Sequence, residues 1–253
     1  MNSLVKTCAV IQGASSGIGL ALVHELLGSN DTQLVIATCR NPNSNSELKS
    51  LMQVYGQRLK VLSLNPTLES SAVSLAKVLS EQPTSIELLV NCTGLLHNSK
   101  LHPEKKIDDI NIENLIELFR VNSISPMIVI KHLRKFLLLD GRSVIVNLSA
   151  RVGSISDNRL GGWYGYRSSK AALNQLTKTL SIELKRSLPL NICVAMHPGT
   201  VDTQLSKPFQ SGIPKNKIFT SKKAARQILS VTSKLEPEDN GSFFAWDGSK
   251  IPW

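Results

Sequence analysis

An apolar run over residues 4–11 stops at Gly13-Ala14-Ser15-Ser16-Gly17-Ile18-Gly19, after which Ile18, Ala21, Leu22 and Leu26 recur with helical spacing. A buried strand that turns through glycines straight into a helix leaves a chain few architectures. The successive amides of such a turn, together with the positive end of the helix, form a receptor for a pyrophosphate. Three glycines spaced G-x3-G-x-G also suit a plain tight turn. The nucleotide reading comes from their position after the first strand of an alternating pattern. Gly13, Ser15, Ser16, Gly17, Ile18 and Gly19 are the candidate contacts.

The alternation continues down the chain. Strands are expected at residues 33–38, 59–64, 86–90, 143–148, 191–196 and 242–245, and helices at 16–27, 47–55, 69–79, 112–139, 166–184 and 221–232. Pro126 falls inside the longest helix, where it predicts a kink or a break. Strand and helix in regular succession give an α/β fold: a doubly wound, Rossmann-like parallel sheet of about seven strands with helices on both faces and right-handed crossovers. No linker, repeat or low-complexity segment divides residues 1–253, so a single domain is expected. Residues 201–220 lack a period and contain Pro208, Gly212 and Pro214, which suggests a substrate-binding loop or lid at the carboxyl side of the sheet.

Composition narrows the partners. A formal charge of +10 favours contact with phosphates. Lys207, Lys215, Lys217, Lys222, Lys223, Arg226 and Lys234 lie in a stretch without an acid, but only Phe209 and Phe219 are there to stack on bases. A solvated basic face is expected, and nucleic acid is not. Cys8, Cys39, Cys92 and Cys193 sit in separate apolar runs and read as buried free thiols. The five histidines, His24, His97, His102, His132 and His197, are scattered, so no metal site is expected. The first apolar run is too short to cross a membrane, and a cytoplasmic protein is expected.

The second strand ends in Thr38-Cys39-Arg40 with no acid nearby. A carboxylate there would accept from the ribose of NAD, whereas Arg40 suits the extra phosphate of NADP(H), so NADPH is expected over NADH. Asn91-Cys92-Thr93-Gly94 follows the fourth strand and is placed to let the backbone approach the adenosine and to brace the sheet. Tyr166 and Lys170 stand one helical turn apart. An ammonium beside a phenol favours its ionised form, and the pair suits proton transfer to a carbonyl oxygen as hydride arrives at carbon. Trp163 and Tyr164 either line the pocket or pack the entrance of the helix.

Gly13-x3-Gly17-x-Gly19, Asn91-Cys-Thr-Gly94, Asn122, Tyr166-x3-Lys170 and Pro198-Gly199 together resemble a short-chain dehydrogenase/reductase of the classical type, over residues 4–253. "GGWYGYRSSKAALN" at residues 161–174 and the ending "GSFFAWDGSKIPW" resemble the C-factor-like group more narrowly. The resemblance implies a small carbonyl or alcohol substrate and a homodimer or homotetramer packed through helices 112–139 and 166–184. It implies that Asn122 holds a water in a proton relay with Lys170. Pro198, Gly199 and Thr200 would run along the nicotinamide, Val201 is a further cofactor contact, Thr203 would reach the carboxamide or the pyrophosphate, and Asn65 stands where aspartate more often meets the adenine.

One departure stands out. The family uses a serine three residues before a glycine at this strand end to polarise the carbonyl, and counting back from Gly153 reaches Ala150. Ser154 in the following loop, Ser149 on the neighbouring position, or neither, fills that role. The departure keeps open an NADPH-binding signalling or regulatory protein with weak or no turnover. The basic stretch, residues 207–234, keeps open phosphate or nucleic-acid binding.

Overall fold

The computed structural model describes residues 6–29, 31–81 and 84–253, so the first positions of the expected opening strand, residues 4 and 5, lie outside the described residues. In chain order the structure runs β1 (Lys6–Gln12), α1 (Gly17–Gly28), β2 (Leu34–Cys39), α2 (Ser46–Tyr55), β3 (Leu59–Ser63), α3 (Glu69–Ser80) and β4 (Thr84–Asn91). It continues through α4 (Ile112–Phe119), α5 (Ser125–Leu133), β5 (Val144–Leu148), α6 (Tyr164–Ser187) and β6 (Ile192–His197). The remainder is β7 (Thr200–Val201), β8 (Ile218–Phe219), α7 (Ser221–Ser233) and β9 (Phe243–Ala245).

Seven strands pair in the order β3-β2-β1-β4-β5-β6-β9, every ladder parallel. Cys8, Ala9, Val10 and Ile11 are buried without residual exposure, as a central strand covered on both faces requires. On one face, Leu22, Val23 and Leu27 of α1, Leu48 of α2 and Ile228 of α7 pack over the sheet. On the other, Leu75 and Leu79 of α3, Val129 and Leu133 of α5, and Leu184 of α6 do the same. Each fully buried leucine contributes about 1.5–3 kcal/mol. Sheet growth reverses direction between β1 and β4, so a crevice opens at the carboxyl ends of those two strands. Among the described residues no helix is long and apolar enough to cross a membrane.

The expected helix over residues 112–139 is three pieces. Between α4 and α5 lies a π-helical turn, Arg120–Ile124. Pro126 sits in the first turn of α5, where its missing N–H costs nothing, and the widened turn ahead of it gives the backbone somewhere to place the mismatch. The Ser125 backbone N–H bonds the Arg120 carbonyl, and the Ser125 hydroxyl donates to the same oxygen at 2.6 Å. Past α5, a single 3₁₀ turn, Arg134–Phe136, returns the chain to extended backbone at Leu137. The aperiodic stretch 201–220 is pinned at its base, because β7 and β8 pair in parallel.

A buried polar relay crosses the sheet beneath the crevice. Asn91 Nδ2 donates to Asn147 Oδ1 at 2.8 Å, Asn147 Nδ2 donates to Thr177 Oγ1 at 3.0 Å, and that hydroxyl donates to the Leu173 carbonyl at 2.7 Å. It ties β4 to β5 and β5 to α6. Asn147→Ala strands groups on both sides, so urea unfolding should show a loss of about 1–3 kcal/mol. A loss near zero would mean the relay is dispensable.

Candidate active site

The glycine turn closes on the ends of β1 and β2. The Gly13 and Ala14 amides both donate to the Thr38 carbonyl, at 3.1 and 2.9 Å. Gly13 and Gly17 are left-handed, with φ of +83° and +54°. A Cβ on Gly19 would lie 2.2 Å from the Gly13 carbonyl oxygen, so α1 can fold back against its own turn only with glycine there. Ser16 caps α1 in extended conformation without using its hydroxyl, and Ser15 and Ser16 are both exposed. The first amides of α1 therefore face outward beside two hydroxyls that have no partner among the described residues. Ile18 packs with Val201 and Phe219, and Thr203 Cγ2 would be 3.2 Å from a Cβ on Gly17, so the start of residues 201–220 lies directly over the turn.

Two residues that sequence reasoning passed over brace the turn, Gln12 by locking β1 to the end of β4 and Asn45 by tying α2 to the glycine loop. The Gln12 side chain accepts from the Thr93 amide at 3.1 Å and donates to the Thr93 hydroxyl. Asn45, which caps α2, donates to the Ser15 carbonyl at 2.8 Å. Buried glutamine at a strand end was the one available sign.

The remaining nucleotide candidates divide. Arg40 is exposed at the end of β2, and its guanidinium makes no ion pair among the described residues. A Cβ on Gly94 would make ordinary contact with Leu205, Asn122 Oδ1 and Lys170 Nζ, at 3.5, 3.7 and 3.8 Å, so Gly94 lies directly against the Asn122 and Lys170 side chains. Asn91 turns into the sheet as a brace. Cys92 packs into the core, and burial pushes its thiol well above the usual range. Asn65 uses its oxygen on its own turn, accepting from the Thr67 amide and hydroxyl, so only its N–H groups remain for an adenine. Val201 buries its side chain, leaving its backbone, and Gly199 is left-handed with Phe219 against the space a Cβ would fill. Pro198 lies in the link from β6 to β7.

Tyr166 and Lys170 emerge side by side from the first turns of α6. The Tyr166 ring is 7% exposed, and among the described residues its hydroxyl has no hydrogen-bond partner, yet that oxygen is not sealed from solvent. Lys170 Nζ donates to the Leu148 carbonyl at 2.8 Å and lies 5.9 Å from the centre of the Tyr166 ring. Burial raises the Tyr166 phenol above its ordinary value and lowers the Lys170 ammonium from 10.5 to about 8. Asn122, in the π turn, accepts from the Leu95 amide at 2.7 Å and donates to the Leu95 carbonyl at 2.8 Å and Ser169 Oγ at 3.0 Å. Its side chain is fully committed as a brace, and Pro126 has no N–H to offer the Asn122 carbonyl.

Neither serine expected near the tyrosine faces it. Ser149 donates to Asn174 Oδ1 at 2.7 Å, turned into α6 as strand alternation requires. Ser154 donates to the Pro252 carbonyl at 2.5 Å and accepts from the Asp157 amide. Both hydroxyls are engaged away from Tyr166 in this geometry. From this strand end, the methyl of Ala150 and the side chain of Val152 pack into the Tyr166 cluster.

The entrance to α6 is built by a residue the sequence did not flag. Glu104, 4% exposed, takes the Gly165 amide on its carboxylate at 3.2 Å and the Trp163 amide on its carbonyl at 2.6 Å. An anion suits a helix N-terminus. A Cβ on Gly165 would meet Leu118, Glu104 and Leu115 within 3 Å, so glycine makes the room. Trp163, left-handed at φ +53°, stands edge-on to Tyr166 at 6.2 Å and to Phe209 at 5.0 Å, and Phe209 meets His97 at 5.5 Å. The 201–220 loop thus brings Phe209 against the aromatic wall beside Tyr166.

Elsewhere the chemistry is quieter. Burial holds His197 down to about 4, so it is neutral. Arg226 pairs with Glu25 at 2.8 Å. A cleft of about 530 Å³ is lined by α7, β9 and the turns that follow them, and one of about 600 Å³ by α1 and α7; Tyr166 lines neither. Among the described residues no group of three or more His, Cys, Asp or Glu side chains is placed to hold a metal.

The family model described as short chain dehydrogenase matches residues 7–213. An uncharacterized oxidoreductase of Schizosaccharomyces pombe is 28% identical, with 96% of each chain covered. The C-signal protein of Myxococcus xanthus is 29% identical over 58% of this chain and 83% of its own. Among solved structures, an NADPH-bound carbonyl reductase from chicken fatty liver superposes with a TM-score of 0.86 at 28% identity, covering 98% of this chain and 94% of that one. The carbonyl reductase Sniffer of D. melanogaster superposes with a TM-score of 0.85 at 26% identity, covering 98% and 99%.

Burying the Lys170 ammonium has a pH signature. Its folded value lies below its unfolded value, so the unfolded chain holds the extra proton between about pH 8 and 10.5, and this term gains stability as pH rises through that window. Lys170→Met should therefore be more stable than the parent at pH 7, with the advantage shrinking toward pH 10.5 in parallel urea titrations. A pH-independent difference would show that charge burial is not its source.

Proposed function

The chain belongs to the short-chain dehydrogenase family, and from that membership we propose that it is an NADP(H)-dependent oxidoreductase interconverting a carbonyl compound and its alcohol. One observation carries the reading: a tyrosine hydroxyl without a protein partner, one turn from a buried lysine, beside the crevice where the glycine turn opens. The likeness to carbonyl reductases, one of them NADPH-bound, supports it.

The residues fit the cofactor. The α1 amides with Ser15 and Ser16 would receive the pyrophosphate, Arg40, without an ion pair among the described residues, would receive the extra phosphate, and Gly94 borders Lys170 where the ribose would approach. Gly199, the Val201 backbone and Thr203 border the nicotinamide end. NADPH, when bound, supplies the hydride. Tyr166 holds the proton: its raised phenol keeps it at neutral pH, which suits donation to a developing alkoxide and hence reduction. Lys170 stabilises the phenolate left behind and returns a proton to it, with the Asn122 carbonyl as the candidate water holder. Trp163, Phe209 and the rest of residues 201–220 form the substrate wall and cover, compatible with a small or medium apolar carbonyl.

Finer assignments belong to the same proposal. The 161–174 sequence and the partial likeness to C-signal support a C-factor-like grouping. Ile112 and Ile116 of α4, 65% and 61% exposed, support a homo-oligomer through that helix. Weak turnover with a signalling role is the second reading, favoured by Ala150.

Tyr166→Phe should cut turnover by roughly 10²–10⁴-fold while calorimetry finds NADPH binding nearly unchanged. Unchanged turnover would remove Tyr166 from the mechanism, and absent NADPH binding in the parent would remove the reductase reading. Arg40→Ala should weaken NADPH by roughly tenfold or more and leave NADH alone. Equal effects on both would unseat Arg40 as the phosphate partner. Carbonyl reduction should stay nearly flat from pH 6 to 8 while alcohol oxidation climbs with pH, because only oxidation needs the phenolate of a raised tyrosine; an oxidation rate that falls as pH rises would contradict this.

A further inference from the structure

Where the family resemblance implies a serine hydroxyl directed at the substrate oxygen from the end of β5, this chain has the methyl of Ala150. Ala150 packs into the cluster that holds Tyr166, Trp163 and Phe209. The two neighbouring hydroxyls are occupied elsewhere, Ser149 by Asn174 and Ser154 by Pro252. Ser169, the hydroxyl nearest along α6, donates to the Tyr166 carbonyl and accepts from Asn122. Asn122 and Lys170 are engaged with Leu95 and Leu148. Ser149, Ser154, Ser169, Asn122 and Lys170 thus all have protein partners, whereas the Tyr166 hydroxyl has none among the described residues.

During reduction, hydride from NADPH forms the new C–H bond and the π pair of the carbonyl moves onto oxygen. That oxygen takes the Tyr166 proton, so the carbonyl is reduced and NADPH oxidised. A missing oxyanion donor costs roughly a hundredfold in rate when the substrate oxygen must bear full charge. It costs far less when the substrate's own substituents withdraw that charge. We therefore propose that Ala150 is a specificity-determining residue, which restricts this site to electron-poor carbonyls such as vicinal dicarbonyls and aryl ketones with electron-withdrawing groups. Plain dialkyl and electron-rich aryl ketones are poor substrates. The aromatic wall of Trp163, Phe209 and His97 accommodates a flat ring next to the reacting carbon. The inference rests on the carbonyl-reductase reading above.

The test is a series of para-substituted acetophenones, nitro through methoxy, reduced with NADPH by the parent, Ala150→Ser and Ala150→Gly. The parent should show a steep dependence of log kcat/KM on electron withdrawal. Ala150→Ser should flatten it, raising the methoxy compound tenfold or more and the nitro compound less than threefold. Ala150→Gly changes the space without adding a donor and should keep the parent's slope, which guards against a purely steric effect. A shallow parent slope, a gain from serine that is equal across the series, or a loss across the series would overturn the inference while leaving the reductase reading in place. Should the parent bind NADPH yet reduce no carbonyl, vicinal dicarbonyls included, the reading itself fails and takes the inference with it.

Discussion

The Lys170 ammonium, held under the sheet edge by one hydrogen bond to the Leu148 carbonyl, is the interaction around which the site is arranged. A charge at 3% exposure is costly even with that bond, as its lowered value shows. Its position fixes the approach of α6 to the end of β5. Gly153 sits so close to that helix that a Cβ would lie 2.8 Å from Lys170 Cβ and 3.0 Å from its backbone carbon. Strand end and helix thus meet along a glycine contact and a lysine bond. Tyr166, one turn earlier on α6, inherits its placement from both.

The start of α6 shows what that placement costs. Gly161, Gly162 and Trp163 are all left-handed, and only the last of them has a side chain to make the conformation unfavourable. Glu104 holds the turn through backbone and side chain together. A positive helix end next to a buried carboxylate offsets part of the strain electrostatically. The gain is a tryptophan ring set edge-on to Tyr166 where an ordinary helix entry would have directed it elsewhere.

Local signals were legible in the sequence, and distant commitments were not. Alternating strand and helix periods gave the sheet, and the glycine spacing and the Tyr166–Lys170 interval were readable because each is contained within a few residues. The long helix misled because its apolar period continues through the π turn, although Ser125 followed by Pro126 was a local sign of a rearranged backbone. β7 and β8 are two residues each, too short to carry a period. Glu104 reaches its amide across 61 positions and Ser154 its carbonyl across 98, and nothing in the neighbourhood of either residue announces such a partner.

That last contact explains why the catalytic hydroxyl cannot simply be supplied from next door. Ser154 holds the Pro252 carbonyl, and Ser156 holds Trp253 through both its amide and its hydroxyl. Trp253 in turn stacks on Phe243, Ile251 donates to the Phe243 carbonyl, and Lys250 bridges antiparallel to Phe244. Residues 250–253 thereby cover β9, the outermost strand, whose unpaired edge would otherwise invite association. Turning Ser154 toward a substrate would release one end of that cover. The same side chain cannot seal the sheet edge and polarise a carbonyl, and in this chain the edge has it.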